Sequence, residues 1–133
     1  MATPAKLPAQ RVILVVDDEQ LVCHLTARIL VDAGFPVVEA HSGEEAAALL
    51  DALGPRKVGL VVSDIRMPGM SGLELSALMM DQWPMVPVLL LSGQGGPPTG
   101  YPGPFLPKPF APEAFVAAVH MLLPDALPSR QLH

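Results

Sequence analysis

A chain of 133 residues, half of them apolar, is long enough for one domain with its own core. Its net charge of −5, with no cluster of lysines or arginines, leaves direct nucleic-acid binding without an electrostatic footprint. The single cysteine, Cys23, excludes an internal disulfide and favours a reducing compartment, so a cytoplasmic location is expected. No apolar run approaches membrane-spanning length, and the opening MATPAKLPAQR has no apolar stretch of a secretory signal. The expected layout is an N-terminal extension over 1–10, one domain over 11–123 and a tail over 124–133.

Arg11 to Val16 is a short β-branched run of the kind buried on both faces of a parallel sheet. Glu19 to Ala33 follows as a helix, with Val22, Leu25, Ile29 and Ala33 at helical spacing and Gly34 closing it. Phe35 to Ala40 is a second strand. Ser42-Gly43-Glu44-Glu45 has the form of a capping box, in which serine and glutamate satisfy each other's orphan amides. It opens an Ala/Leu-rich helix that ends near Gly54. Val58 to Ser63 is the third strand. Ser71-Gly72-Leu73-Glu74 repeats the capping box and opens a helix to about Gln82, where Trp83 is expected to pack on the core. Pro87 to Leu91 is the fourth strand and Phe105-Leu106 a short fifth. Pro112 suits a first helical turn and starts a last helix, with Phe115, Val116, Val119, Leu122 and Leu123 facing inward. Strand and helix alternate, which defines an α/β protein with a parallel sheet.

One segment interrupts the alternation. From Gly93 to Pro107, ten of fifteen residues are glycine or proline. Proline costs roughly 3 kcal/mol and glycine about 1 kcal/mol inside a helix, so a loop is expected between the fourth and fifth strands.

The polar residues that follow the strands are the informative ones. The first strand ends in Asp17-Asp18, the third in Asp64 and the fourth in Ser92, and Lys108 follows the fifth. In an open parallel sheet these carboxyl ends share one edge, where ligands bind. Three carboxylates gathered there repel one another. Two unit charges ~4 Å apart oppose each other by about 4 kcal/mol at an effective dielectric near 20. Either a proton is retained or a cation enters, and a site of hard oxygen donors suits Mg²⁺. Such a site admits a phosphoryl group. Asp64 then serves as nucleophile, Lys108 balances the charge on the transferring oxygens, and Ser92 donates a hydrogen bond.

Taken together, LVVDDEQ, VVSDIRMPGMSGLEL, VLLLSGQ and FLPKPF resemble the receiver domain of two-component response regulators, over about Arg11 to Leu123. Four separated motifs occur in the right order on the right elements. The resemblance implies a flavodoxin-like, doubly wound five-stranded parallel sheet of order 2-1-3-4-5; this sequence departs from it at Gly93 to Pro107, where a loop replaces the fourth helix that most receivers carry. It implies a Mg²⁺-dependent phospho-aspartate chemistry at Asp64. Asp17, Asp18, Asp64 and the carbonyl of Arg66 would be the metal ligands. Lys108 and Ser92 would assist transfer, Ser92 and Phe105 would form the switch pair, and Lys108–Pro109 would be cis, an isomer that proline makes accessible. The phosphodonor would be a sensor histidine kinase or a histidine phosphotransfer protein. Output would run through protein–protein contacts, with no membrane or nucleic acid involved. Such a module phosphorylates and dephosphorylates itself rather than turning over a substrate. The Gly/Pro-rich segment also resembles receivers attached to, or serving, hybrid histidine kinases.

Each of these residues also has a plainer reading. Asp17 and Asp18 suit the start of a helix, where acids are favoured, and Glu19 reads as first-turn charge. Ser92-Gly93 is a common turn pair, and Lys108 could be a solvated loop lysine. Phe105 is divided evenly between core and switch, with Tyr101 a rival for any aromatic gating. Arg66 and Gln94, two residues beyond Asp64 and Ser92, are candidates for tuning phosphoryl lifetime and equally suit exposed loop positions. Cys23 reads as a small buried residue. No histidine pair has metal-ligand spacing, and Met67, Met70, Met79 and Met80 suit packing. Two other functions compete: a receiver-like interaction module that works without phosphorylation, and a flavin or nucleotide enzyme on the same architecture. The latter needs a phosphate-cradling first turn, whereas this one reads Asp17-Asp18-Glu19.

Overall fold

A computed structural model describes residues 11–93 and 101–123. The expected extension over 1–10 and tail over 124–133 lie outside the described residues.

Five parallel strands form one sheet in the order β2-β1-β3-β4-β5. They are β1 (Val12–Val16), β2 (Val37–Ala40), β3 (Val58–Asp64), β4 (Val88–Ser92) and β5 (Phe105–Pro107). Helices α1 (Gln20–Asp32), α2 (Gly43–Leu53), α3 (Gly72–Gln82) and α4 (Pro112–Leu122) connect or follow them. The central strands are apolar at nearly every position because both sheet faces are covered. Alternate residues serve opposite layers. Ile13, Val15, Leu60, Val62, Leu89 and Leu91 pack with α1 and α4 residues such as Leu30, Phe115 and Val119. Leu14, Val16, Val61, Val88 and Leu90 pack with α2 and α3 residues such as Leu50, Leu75 and Met79.

The expected element order holds, and the differences are local. The buried line of α1 is Cys23, Thr26, Ala27 and Leu30, not the Val22, Leu25, Ile29 and Ala33 stripe, and Leu25 is 57% exposed. This helix carries apolar residues on more than one stripe, so periodicity alone leaves its rotation open; docking on β1 and β2 selects the inward line. Phe35 is buried in the core but precedes β2, which starts at Val37. The second capping box is complete: Ser71 Oγ accepts from Glu74 N at 3.1 Å and Glu74 Oε1 from Ser71 N at 2.9 Å. The first is shifted. Ser42 Oγ accepts from Glu45 N at 2.9 Å, but Glu45 Oε1 takes the amide of His41, at 2.8 Å. Met80 is 67% exposed rather than packed. Val116 and Leu122 are only half-buried, whereas Phe115, Val119 and Leu123 are buried as expected.

Between β4 and β5 the described residues contain no helix. Gln94 lies outside the described residues. Tyr101 packs against the α2–α3 layer, and its hydroxyl donates to the carbonyls of Pro104 at 3.0 Å and Val88 at 3.3 Å. Burial pushes this phenol up to about 12.

Candidate phosphoryl-acceptor site

The sheet topology brings the strand-end residues together. The loop after β1 carries Asp17 and Asp18. Asp17 is buried, and its Oδ1 accepts the amide of Glu19 at 3.0 Å. Glu19, not either aspartate, is the N-cap residue of α1, so Asp17 supports the turn ahead of the helix while its other oxygen faces Lys108. Asp64 is the last residue of β3. Its carboxylate sits where the strand runs out and the chain turns, which is why an apolar strand carries one acid at its end. Ser63 Oγ donates to the Asp64 carbonyl at 2.9 Å.

Lys108 reaches the site from the turn after β5. Its amide donates to the Ser92 carbonyl at 2.7 Å, and the Lys108–Pro109 peptide is cis. Its Nζ lies 2.9 Å from Asp64 Oδ1 and 3.9 Å from Asp17 Oδ2. One oxygen from each of Asp17, Asp18 and Asp64 lies within 4.8 Å of the others. These residues, with Glu19, Val22, Arg66 and Gly93, line an open cavity of about 360 Å³. One lysine does not neutralise three carboxylates. Burial raises the Asp17 carboxyl above its ordinary value, and the charges of Asp64 and Asp18 add to the rise. The Glu19 amide and the Lys108 ammonium oppose it. An acid held in this way gains from a cation.

The turn after Asp64 is built for close approach. Gly69 has φ +73° and Gly72 packs its α-carbon on the Asp64 carbonyl. Glu44 Oε2 accepts the Met70 amide at 3.1 Å and so ties this turn to α2. A methyl group at Gly72 would collide with the Asp64 backbone. Gly72→Ala is expected to lower stability by about 1–3 kcal/mol, as overpacking does, and to displace Asp64 from Lys108. A denaturant titration measures the first effect and a phosphorylation time course the second.

Of the residues singled out in the sequence, Asp17, Asp18, Asp64, Arg66 and Lys108 share this cavity. Ser92 is buried at the end of β4, beside the cavity rather than among its lining residues. Phe105 is half-buried and belongs to neither apolar cluster. Glu19, Val22 and Gly93 also line the cavity, although the sequence reads them as first-turn charge, a helix-face residue and a turn glycine. Each is next to, or within a helical turn of, a site residue singled out in the sequence, which was the available signal.

A doubly wound sheet with three clustered acids at its carboxyl edge, two of them facing a lysine, defines a CheY-like receiver fold. The response regulator receiver domain profile matches residues 13–120, and the chain belongs to that family, whose members act in two-component signal transduction. It is 34% identical over 123 residues to the transcriptional regulatory protein FixJ of Bradyrhizobium diazoefficiens, covering 88% of this chain and 58% of that protein. The chain thus spans little more than half of that relative. The solved receiver domain of NtrX from Brucella abortus superposes with TM-score 0.75 at 32% identity, over 84% of this chain and 98% of that one. The receiver domain of the hybrid histidine kinase CckA gives TM-score 0.72 at 32% identity, over 84% and 97%. Among the described residues, no helix is long and apolar enough to cross a membrane.

Proposed function

We propose that this chain is the phospho-accepting receiver module of a two-component phosphorelay, working in the cytoplasm. The observation that carries the reading is the Lys108 ammonium 2.9 Å from Asp64 Oδ1, with the carboxylates of Asp17 and Asp18 beside it. The donor would be a phosphohistidine on a sensor kinase or histidine phosphotransfer protein. A carboxylate oxygen of Asp64 bonds to phosphorus, the phosphorus–nitrogen bond breaks, and the imidazole leaves with its electron pair and takes up a proton. Lys108 moves from one carboxylate oxygen to share the charge that appears on the phosphoryl oxygens. Ser92 donates a hydrogen bond to the same group, and Phe105 changes its packing as Ser92 moves. Arg66 and Gln94 act on the lifetime of the acyl phosphate. Output is protein–protein contact.

The acid cluster fits a hard divalent cation: its donors are carboxylate oxygens, and one lysine leaves it anionic. Asp17, Asp18, Asp64 and the Arg66 carbonyl would hold Mg²⁺, which supplies charge neutralisation at the phosphoryl oxygens. Incubation with Mg²⁺ and acetyl phosphate is expected to add one phosphoryl group, labile to hydroxylamine and mapping to Asp64. Chelation of Mg²⁺ removes the labelling. Intact-mass analysis reads both, and a chain that gains no label under these conditions sinks the proposal.

A further inference from the structure

A second group of ligating side chains lies outside the acid cavity. Cys23 on α1, Glu39 on β2 and His41 just after β2 each place one ligand atom within 4.8 Å of the other two. Glu39 and His41 are two residues apart at the end of β2 while Cys23 comes from α1, so no local sequence pattern brings all three together. The surroundings of His41 are incomplete without a further partner. Nδ1 of His41 is buried and has no hydrogen-bond partner, an unfavourable condition for a polar group. The Cys23 thiol is fully buried, donates to the Val15 carbonyl at 3.5 Å and the Ala40 carbonyl at 3.7 Å, and also lies within hydrogen-bond reach of the Glu39 carboxylate. Glu39 is held from its outer side: His24 Nδ1 lies 3.1 Å from Oε2. That is the arrangement of an outer histidine orienting a ligand carboxylate.

We propose that Cys23, Glu39 and His41 form a zinc site, with the fourth position open to water. Sulfur and imidazole donors select a borderline-soft ion such as Zn²⁺ over the Mg²⁺ that suits the all-oxygen cluster of Asp17, Asp18 and Asp64. Charge balances: one divalent ion, one thiolate, one carboxylate and a neutral imidazole sum to zero, which suits a buried site. On binding, the sulfur–hydrogen bond breaks, the proton leaves to solvent and a zinc–sulfur bond forms. Before binding, the thiol holds that proton firmly, since burial and the nearby Glu39 carboxylate push it up to about 12. Glu39 and His41 are only partly buried and give the ion its way in. β2 is an outer strand of the sheet, so the ion would fasten that edge to α1.

Cobalt tests the site, because a sulfur-to-cobalt charge-transfer band in the near ultraviolet requires a thiolate. The chain has one cysteine, so any such band reports Cys23. Titrating the full chain with Co²⁺ is expected to raise the band to one equivalent, and Zn²⁺ to bleach it. Cys23→Ser removes the band. His41→Gln and Glu39→Gln, at partly exposed positions that leave the core intact, weaken Co²⁺ binding by roughly tenfold or more. Asp64→Asn leaves the band unchanged, which separates this site from the acid cavity. No band at one equivalent overturns the proposal. So does a band whose affinity is the same in the Gln variants as in the parent chain.

Discussion

Replacing Asp64 with asparagine is expected to reduce phosphoryl labelling to background while leaving the fold intact. Asparagine keeps the shape of the side chain and removes the anionic oxygen that attacks phosphorus. Its effect on stability is the sum of opposed terms. The Lys108 ion pair is lost, but so is the repulsion from Asp17 and Asp18, which lie within 4.8 Å. Lys108 keeps Asp17 as a partner at 3.9 Å. Asp17 is buried and Asp64 and Lys108 are only partly exposed, but the two terms oppose each other, so the net change is expected to be smaller than the roughly 3–5 kcal/mol that removing one partner of a buried pair costs. Mg²⁺ binding should weaken as one of the carboxylates is removed. Intact-mass analysis after acetyl phosphate, beside a denaturant titration, separates lost chemistry from lost structure. A variant that labels as the parent does would move the acceptor to another residue. The same variant discriminates the competing interaction-module reading, since partner binding that is indifferent to Asp64→Asn needs no phosphoryl group.

Phe115→Ala is expected to be the most damaging single change to the fold. Phe115 is fully buried in the layer between the sheet, α1 and α4, and its ring lies 5.0 Å from that of Phe110 at a tilted angle. Truncation removes buried apolar surface and leaves a cavity that fixed strands on one side cannot close. Such changes cost about 3–5 kcal/mol, against a total stability of roughly 5–15 kcal/mol for a domain. The guanidinium midpoint should fall with an unchanged slope. Phe110 packs on Phe115 and stands two residues after Lys108, so the loss also loosens the segment that carries Lys108. A decline in phosphorylation rate beyond the unfolded fraction is therefore expected. Full retention of the midpoint would mean that α4 does not anchor this layer as described.

The strands were legible because four of them are apolar runs too short for helices and bounded by polar or turn residues, as in Val58 to Ser63. The acid site was legible for a related reason. A parallel sheet puts every strand's carboxyl end on one edge, so Asp17, Asp18, Asp64 and Lys108 could be assembled from chain order alone. The rotation of α1 was not legible, because Leu25 and Leu30 are equally apolar and only contact with β1 and β2 ranks them. The His41–Glu45 bond escaped for a similar reason: Ser42 and His41 both offer an amide, and local geometry decides which one Glu45 reaches. Glu39 and His41 stand two residues apart at the end of β2, but nothing in the sequence tied them to Cys23. Ligand spacing is a local property, and these residues meet across a helix and a strand.

What the sequence alone determined was the order of elements, the parallel class and the chemical content of one sheet edge, because these depend on periodicity and on what ends each strand. Only the tertiary structure decided distances and facing. It set Lys108 nearer Asp64 than Asp17, pressed Gly72 on the Asp64 backbone and brought a thiol to a histidine from another element. Those outcomes depend on how helices dock and turns close, and docking is a property of the whole packed chain rather than of any stretch of it.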